Sequence, residues 1–109
     1  MIKVEQIRKN IEKAAEKISV AALAAGRDPG DVSIVVVTKG QPAEMITAVH
    51  AAGAKIIGEN YPNESVGKIE DLEGLPEIQW HMIGHLQTRK ARLVASNFDM
   101  FHALDSLRL

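Results

Sequence analysis

The stretch VSIVVVTKG, residues 32–40, is the clearest structural signal in the chain. Every residue from 32 to 38 except Ser33 is β-branched, a composition that favours strands. The run shows no alternation of apolar and polar residues, whereas a strand with one face in water would show it. It therefore predicts a parallel strand buried on both faces, with Lys39 directly after its carboxyl end.

The segments on either side of this strand alternate between helical and strand patterns. Apolar residues three or four positions apart predict a helix from Val4 to Gly26, and the turn sequence RDPG joins that helix to the strand. Further strands are predicted at 55–57, 78–83 and 100–104, with a helical segment before each. The four strands begin at positions 32, 55, 78 and 100, so they recur every 22 or 23 residues. This regular alternation predicts parallel strands joined by helical crossovers.

Two architectures fit the alternation, an open doubly wound sheet and a TIM-type (βα)8 barrel. At ~23 residues a unit, eight units and the leading helix would need roughly 210 to 220 residues, near the usual barrel size. This chain has 109 residues and therefore holds about half of that number of units. We expect an α/β fold in a single partial domain, 1–109. Its leading helix and turn would occupy 1–30, and four (βα) units, the last incomplete, would occupy 31–109.

Composition and charge restrict the functions that the chain could perform. It has 46% hydrophobic and 25% charged residues, which is typical of a globular domain. Without cysteine it has no disulfide, thiolate metal site or thiol nucleophile. Its net charge is −1 and no basic stripe carries interleaved aromatics, so we expect no nucleic-acid partner. No apolar run reaches the roughly 18 to 20 residues that span a bilayer, so we expect no membrane partner and a cytoplasmic location.

Polar residues follow each of the four predicted strands. In either architecture the carboxyl ends of parallel strands meet at one rim, where ligands bind. The candidate site therefore comes from these ends: Thr38 and Lys39, Glu59 and Asn60, His81 with Gly84 and His85, and Asp105 with Ser106. The simpler explanation is that loops are polar whatever their function.

Lys39 is the most informative of these residues. A lysine directly after a buried strand has an apolar environment around its stem, and partial desolvation favours the neutral amine that attacks carbonyl groups. Schiff-base chemistry is then open to it. The alternative is a lysine that extends past the sheet edge into solvent. Asn60 has an alternative role too, as the N-cap of the following helix.

His81 and His85 have the spacing of a zinc pair on a helix. Because the segment IQWHMIG is predicted as a strand that ends at Gly84, the two rings would not share a face, and no third ligand is apparent. We therefore predict no metal site, and we interpret His81 as a hydrogen-bonding residue of the rim or inner face.

Four segments in order along the chain resemble one family: VVVTKGQP (35–42), GENYPNE (58–64), IQWHMIGHLQTRK (78–90) and FHALDSLRL (101–109). They resemble the pyridoxal 5′-phosphate homeostasis proteins, a family related to the N-terminal domain of alanine racemase. The resemblance implies the N-terminal half of a single TIM-type (βα)8 barrel preceded by a helix. It also implies that the chain binds and buffers pyridoxal 5′-phosphate, with no firm catalytic activity.

The resemblance also implies roles for particular residues. The lysine after the first strand carries the cofactor as a Schiff base in that family, and Lys39 matches it. The asparagine of the GEN motif lies beside the cofactor, and Asn60 matches that position. With His81 of the next strand, these are the candidate cofactor-binding residues, and no residue is assigned as catalytic. Gln41 stands where many members have a second lysine, so a role given to that lysine does not carry over.

Two other functions stay open. A racemase-like enzyme fragment would use the same lysine and would need an acid/base partner, for which Tyr61 and His81 are the nearby candidates. A non-catalytic interaction domain would use the sheet edges and inner face that four strands leave uncovered. That open barrel face also predicts self-association of the chain.

Overall fold

The computed structural model of the chain describes residues 3–75 and 77–105, so the predicted rim residue Ser106 lies outside the described residues. Within these ranges four helices alternate with four strands. The elements in chain order are α1 (Val4–Ala24), β1 (Val36–Val37), α2 (Ala43–Ala51), β2 (Ile56–Glu59), α3 (Pro62–Asp71), β3 (Gln79–Met82), α4 (Ala91–Asn97) and β4 (Met100–Phe101). None of the described helices is both long and apolar enough to cross a bilayer.

The four strands form one parallel sheet in the order β1-β2-β3-β4. Each helical crossover therefore places the next strand beside the previous one in the same direction, as in a barrel. A doubly wound sheet would reverse its strand order at a switch point, and the described strands contain no reversal. The predicted α/β fold of parallel (βα) units after a leading helix is confirmed.

One face of the sheet, which we call the outer face, packs against helices. Val36, Ile57 and Trp80 stand side by side on it, and Ile57 is completely buried. The helices supply the rest of this core, with Ile7 and Ile11 from α1, Ile46 and Val49 from α2, and Ile69 from α3. Removal of these apolar side chains from water is the main force that holds the sheet and helices together.

The opposite, inner face of the sheet is partly open. Val37, Gly58, His81 and Met100 stand side by side on it. Val37 is 48% exposed and Met100 is 53% exposed. The prediction of a first strand buried on both faces is therefore wrong, because the core between sheet and helices lies on the outer face.

The first strand is also shorter than the predicted range of 32–38. A strand extends only as far as a neighbour can hydrogen-bond with it. Val36 is in register with Ile57, and β2 begins at Ile56. Residues 32–35 therefore lie almost entirely before the start of the neighbouring strand.

Gly58 lies at a crowded point of the inner face. A Cβ at this position would lie 2.8 Å from Val35 Cγ1 and 3.1 Å from Ile83 Cδ1. These two side chains close over the glycine from both sides, so no larger residue fits between them.

We expect Gly58→Ala to lower the free energy of unfolding by about 1 to 3 kcal/mol, because the added methyl group overpacks this contact. Gly67→Ala is the matched control, since Gly67 lies within α3 and a Cβ there meets nothing within 4 Å. Alanine at position 67 should raise the free energy of unfolding by about 0.5 to 1 kcal/mol. Urea unfolding followed by circular dichroism measures both effects. Equal effects of the two substitutions would contradict the packing described for Gly58.

Candidate functional site

Lys39 and Asn60 occupy equivalent positions at the carboxyl end of the sheet. Val37 is in register with Gly58, and Lys39 and Asn60 each follow two residues later. The hydrogen bonding continues past the strand, because the Thr38 N–H donates to the Gly58 carbonyl at 3.0 Å. The sheet therefore brings these two candidate residues to matching places on the rim.

A tight turn carries Lys39. The Gln41 N–H donates to the Thr38 carbonyl at 3.0 Å, and Gly40 has a φ of 72°, as the third position of a type II β-turn requires. Lys39 is the second residue of this turn and is exposed to solvent. Of the two environments expected for Lys39, the structure therefore agrees with the lysine that extends into solvent and not with the desolvated one.

Asn60 has a buried side-chain oxygen with no hydrogen-bond partner in the described part of the chain. The alternative role as a helix cap is wrong, because α3 begins at Pro62, Tyr61 takes the N-cap position and no side chain caps the helix. Proline is favoured at the first helical position, which sets this start. A buried amide oxygen left unpaired costs about 1 to 3 kcal/mol. Because the atom is buried, a ligand could donate a hydrogen bond to it and remove that cost only after the Asn60 side chain turns toward the rim surface.

Gly84 fixes the backbone of Asn60. A Cβ on Gly84 would lie 2.8 Å from the Asn60 carbonyl oxygen and 2.9 Å from the Asn60 Cα. Only glycine therefore lets the loop after β3 come this close to the end of β2. The contact leaves Asn60 little freedom to move away from the rim.

Both ring nitrogens of the buried His81 are engaged. Nδ1 lies 2.9 Å from His102 Nε2, and Nε2 lies 3.3 Å from Gln79 Oε1. Burial and, second, the charge of His102 lower the pKa of His81 below its ordinary value of 6.5, and Asp99 opposes them. Because Gln79 Oε1 can only accept, it pairs with the tautomer of neutral His81 that donates from Nε2 and accepts from His102 at Nδ1. This arrangement agrees with the interpretation of His81 as a hydrogen-bonding residue.

His85 does not share partners with His81. It is exposed, and its Nδ1 lies 3.1 Å from Asp105 Oδ2. The spacing of four residues between His81 and His85 therefore does not bring the two rings to one metal site. Across residues 3–75 and 77–105, no three His, Asp or Glu side chains are grouped so that they could hold a metal ion.

Glu59, predicted at the rim beside Asn60, points instead to the helical side of the sheet. Its buried carboxylate accepts hydrogen bonds from Thr38 Oγ1 and from Lys68 Nζ at 2.8 Å, and it lies 2.8 Å from Ser65 Oγ, whose one hydrogen it shares with the Tyr61 carbonyl. We call these four residues the Glu59 cluster. The sequence holds a signal for it, because Ser65 and Lys68 are three positions apart in α3 and share a helix face.

Comparison with known proteins places the chain among relatives of one name, although no protein-family model matches it. A pyridoxal phosphate homeostasis protein of Pseudomonas aeruginosa is 44% identical over 103 residues, which is 94% of this chain and 44% of that protein. The protein of the same name from Escherichia coli is 40% identical over 108 residues, covering 97% of this chain and 46% of its own length. The chain spans about half the length of the curated relatives it matches.

The fold is similar to that of PipY from Synechococcus elongatus, which has been solved without PLP and with PLP bound. The two structures match with TM-scores of 0.69 and 0.67, at 38% and 36% sequence identity. Each match covers 85% of this chain and 42% of PipY. The described sheet thus resembles the N-terminal part of the PipY barrel, and the resemblance found in the sequence is confirmed as a partial match.

The pH dependence of stability tests the state of His81. Because its pKa is lowered in the folded chain, the unfolded chain binds more protons as the pH falls through 6.5, and folding then weakens. We expect the free energy of unfolding to fall between pH 7.5 and pH 5.5, and to fall less in His81→Asn. Identical pH profiles for wild type and His81→Asn would contradict the assignment.

Proposed function

We propose that this chain, a partial homologue of the pyridoxal phosphate homeostasis proteins, binds pyridoxal 5′-phosphate through a Schiff base on Lys39 and does not catalyse a reaction. The observation that carries the proposal is the shared position of Lys39 and Asn60 at the rim, together with a buried Asn60 amide oxygen that has no hydrogen-bond partner among the described residues. The PLP-bound PipY structure supports the choice of cofactor.

Lys39 is suited to the covalent step because it is exposed at the corner of a turn and a ligand can reach it. The lysine nitrogen bonds to the aldehyde carbon of the cofactor, and the aldehyde oxygen leaves as water. The step needs no oxidant or reductant. It is reversible, as a carrier that takes up and releases its cofactor requires.

Asn60 would orient the cofactor beside Lys39. Its unpaired oxygen can accept a hydrogen bond from a hydroxyl group on the ring, and a half-turn of the amide would let it donate to the same oxygen once ionised. An amide thus suits a ring substituent that changes its protonation state. The close contact with Gly84 holds the Asn60 backbone at the rim and leaves the side-chain amide able to turn.

His81 would form part of the surface under the cofactor ring rather than an acid or base. Both of its nitrogens already have hydrogen-bond partners, and its lowered pKa keeps it neutral near pH 7. Tyr61 is the second candidate for the acid/base of a racemase-like enzyme. It is more than half exposed and lies after the end of β2, at the N-cap of α3. The engaged nitrogens of His81 and the exposure of Tyr61 favour binding over catalysis.

The proposal includes self-association through the inner face, together with the cytoplasmic location expected from the sequence. Val37 and Met100 belong to the two outermost strands of the described sheet, and both are about half exposed. Apolar side chains on unpaired strand edges favour pairing with a second copy. We propose no nucleic-acid or membrane partner.

Labelling with borohydride tests the covalent proposal. Pyridoxal 5′-phosphate should give the wild-type chain a visible absorption band, and reduction should fix the label on Lys39. Lys39→Ala should lose the band, whereas Lys55→Ala, at an exposed lysine before β2, should keep it. Peptide mass analysis locates the label. Equal labelling of Lys55 and Lys39 would show that the aldehyde reacts with exposed lysines in general.

Sedimentation velocity at micromolar concentration tests self-association. We expect the wild-type chain to sediment as a dimer or larger species, and Val37→Lys to shift it toward monomer because a charge then lies on the inner face. Val20→Lys is the matched control, since Val20 is an exposed apolar residue of α1. A wild-type chain that remains monomeric would remove this part of the proposal.

A further inference from the structure

The Glu59 cluster buries an ion pair directly behind the rim. Glu59 is 1% exposed and Lys68 is 7% exposed, and their charged atoms lie 2.8 Å apart. Thr38 and Ser65, which donate to the same carboxylate, are also buried. The carboxylate thus accepts from Thr38 and Lys68, and it shares the single hydroxyl hydrogen of Ser65 with the Tyr61 carbonyl, 2.7 Å from Ser65 Oγ.

The position of the cluster links it to the candidate site. Thr38 immediately precedes Lys39, and Glu59 immediately precedes Asn60. Lys68 Nζ also donates to the Thr38 carbonyl at 3.3 Å, and this is the carbonyl that closes the turn around Lys39. The cluster therefore joins the ends of β1 and β2 one residue before each of the two rim residues.

Stability alone is a weak explanation for such a pair. Removal of two charges from water is costly, and a buried ion pair is often no more stabilising than apolar side chains of similar volume. The geometry of the pair offers a better explanation, because hydrogen bonds between charged groups are short and directional and so fix the positions of the groups they join.

We propose that Glu59 and Lys68 are positioning residues that hold Lys39 and Asn60 at a fixed separation for one ligand, an inference that rests on the cofactor-binding function proposed above. Thr38 transmits this constraint, since its hydroxyl donates to Glu59 while its carbonyl accepts from Lys68. None of the cluster residues touches the cofactor in this proposal.

The substitutions Thr38→Val and Thr38→Ser form the sharpest test. Valine has the shape of threonine without the hydroxyl, and serine keeps the hydroxyl. Thr38→Val leaves the Glu59–Lys68 ion pair intact, so we expect it to fold. Its dissociation constant for pyridoxal 5′-phosphate, read from the visible band, should rise by about tenfold, the effect of losing one hydrogen bond to a charged group. Thr38→Ser should stay within about threefold of wild type.

A second measurement does not depend on the cofactor. Hydrogen exchange at the Gln41 amide, which donates to the Thr38 carbonyl, should accelerate in Thr38→Val and not in Thr38→Ser. If Thr38→Val matches wild type in both binding and exchange, the positioning role is wrong. If exchange changes as expected while the wild-type chain forms no visible band, the positioning role stands and the cofactor proposal fails.

The ion pair itself is tested with Glu59→Leu/Lys68→Met, which leaves no unpaired buried charge. We expect a folded chain with cofactor binding weakened by at least about tenfold. Glu64→Gln is the control, because Glu64 is an exposed carboxylate 3.9 Å from Lys68, outside the cluster, and it should bind as wild type does. A folded double variant that binds within about threefold of wild type overturns the role of the ion pair.

Discussion

The register of the parallel strands is the constraint from which the candidate site follows. Val37, Gly58 and His81 stand side by side, so the residues that follow them stay aligned while their side chains alternate between faces. Lys39 and Asn60 therefore stand at matching rim positions, and the residues just before them point to the helices. A slip of one residue would exchange the two sets and bring Glu59 to the rim. The bonds from Ser65 and Lys68 to Glu59 oppose that slip.

The two faces of the sheet differ in the side chains they carry and in their structural role. The outer face holds the apolar core, with Ile57 and Trp80 packed beneath α1, α2 and α3. The inner face carries polar groups such as His81 and His102, whose rings are joined by a hydrogen bond. This face is also partly open to solvent. Stability thus comes from the outer face. The proposed ligand site lies at the rim beside the inner face, where Asn60 Oδ1, without a hydrogen-bond partner among the described residues, persists at a cost in stability.

The sequence predicts the parts of this molecule that depend on local pattern, and it misses those that depend on contacts between strands. The recurrence every 22 or 23 residues predicts parallel (βα) units, and the polar strand ends identify Lys39 and Asn60. The sequence leaves two environments open for Lys39, a desolvated one and a solvent-exposed one, because the choice depends on how the chain turns after β1. The pairing of His81 with His102 depends on the β3–β4 register, which no single strand reveals.

The distribution of binding groups limits how a cofactor could be held by these residues. TIM-type barrels commonly bind phosphate after their seventh and eighth strands, whereas the described sheet resembles the N-terminal part of such a barrel. The described rim offers an amine at Lys39 for an aldehyde and an amide at Asn60 for a ring substituent. The covalent bond to Lys39 would therefore supply most of the binding free energy that these residues can offer. Such binding is reversible by hydrolysis, so correct placement of Lys39 by its buried neighbours matters more here than it would in a site with a strong phosphate contact.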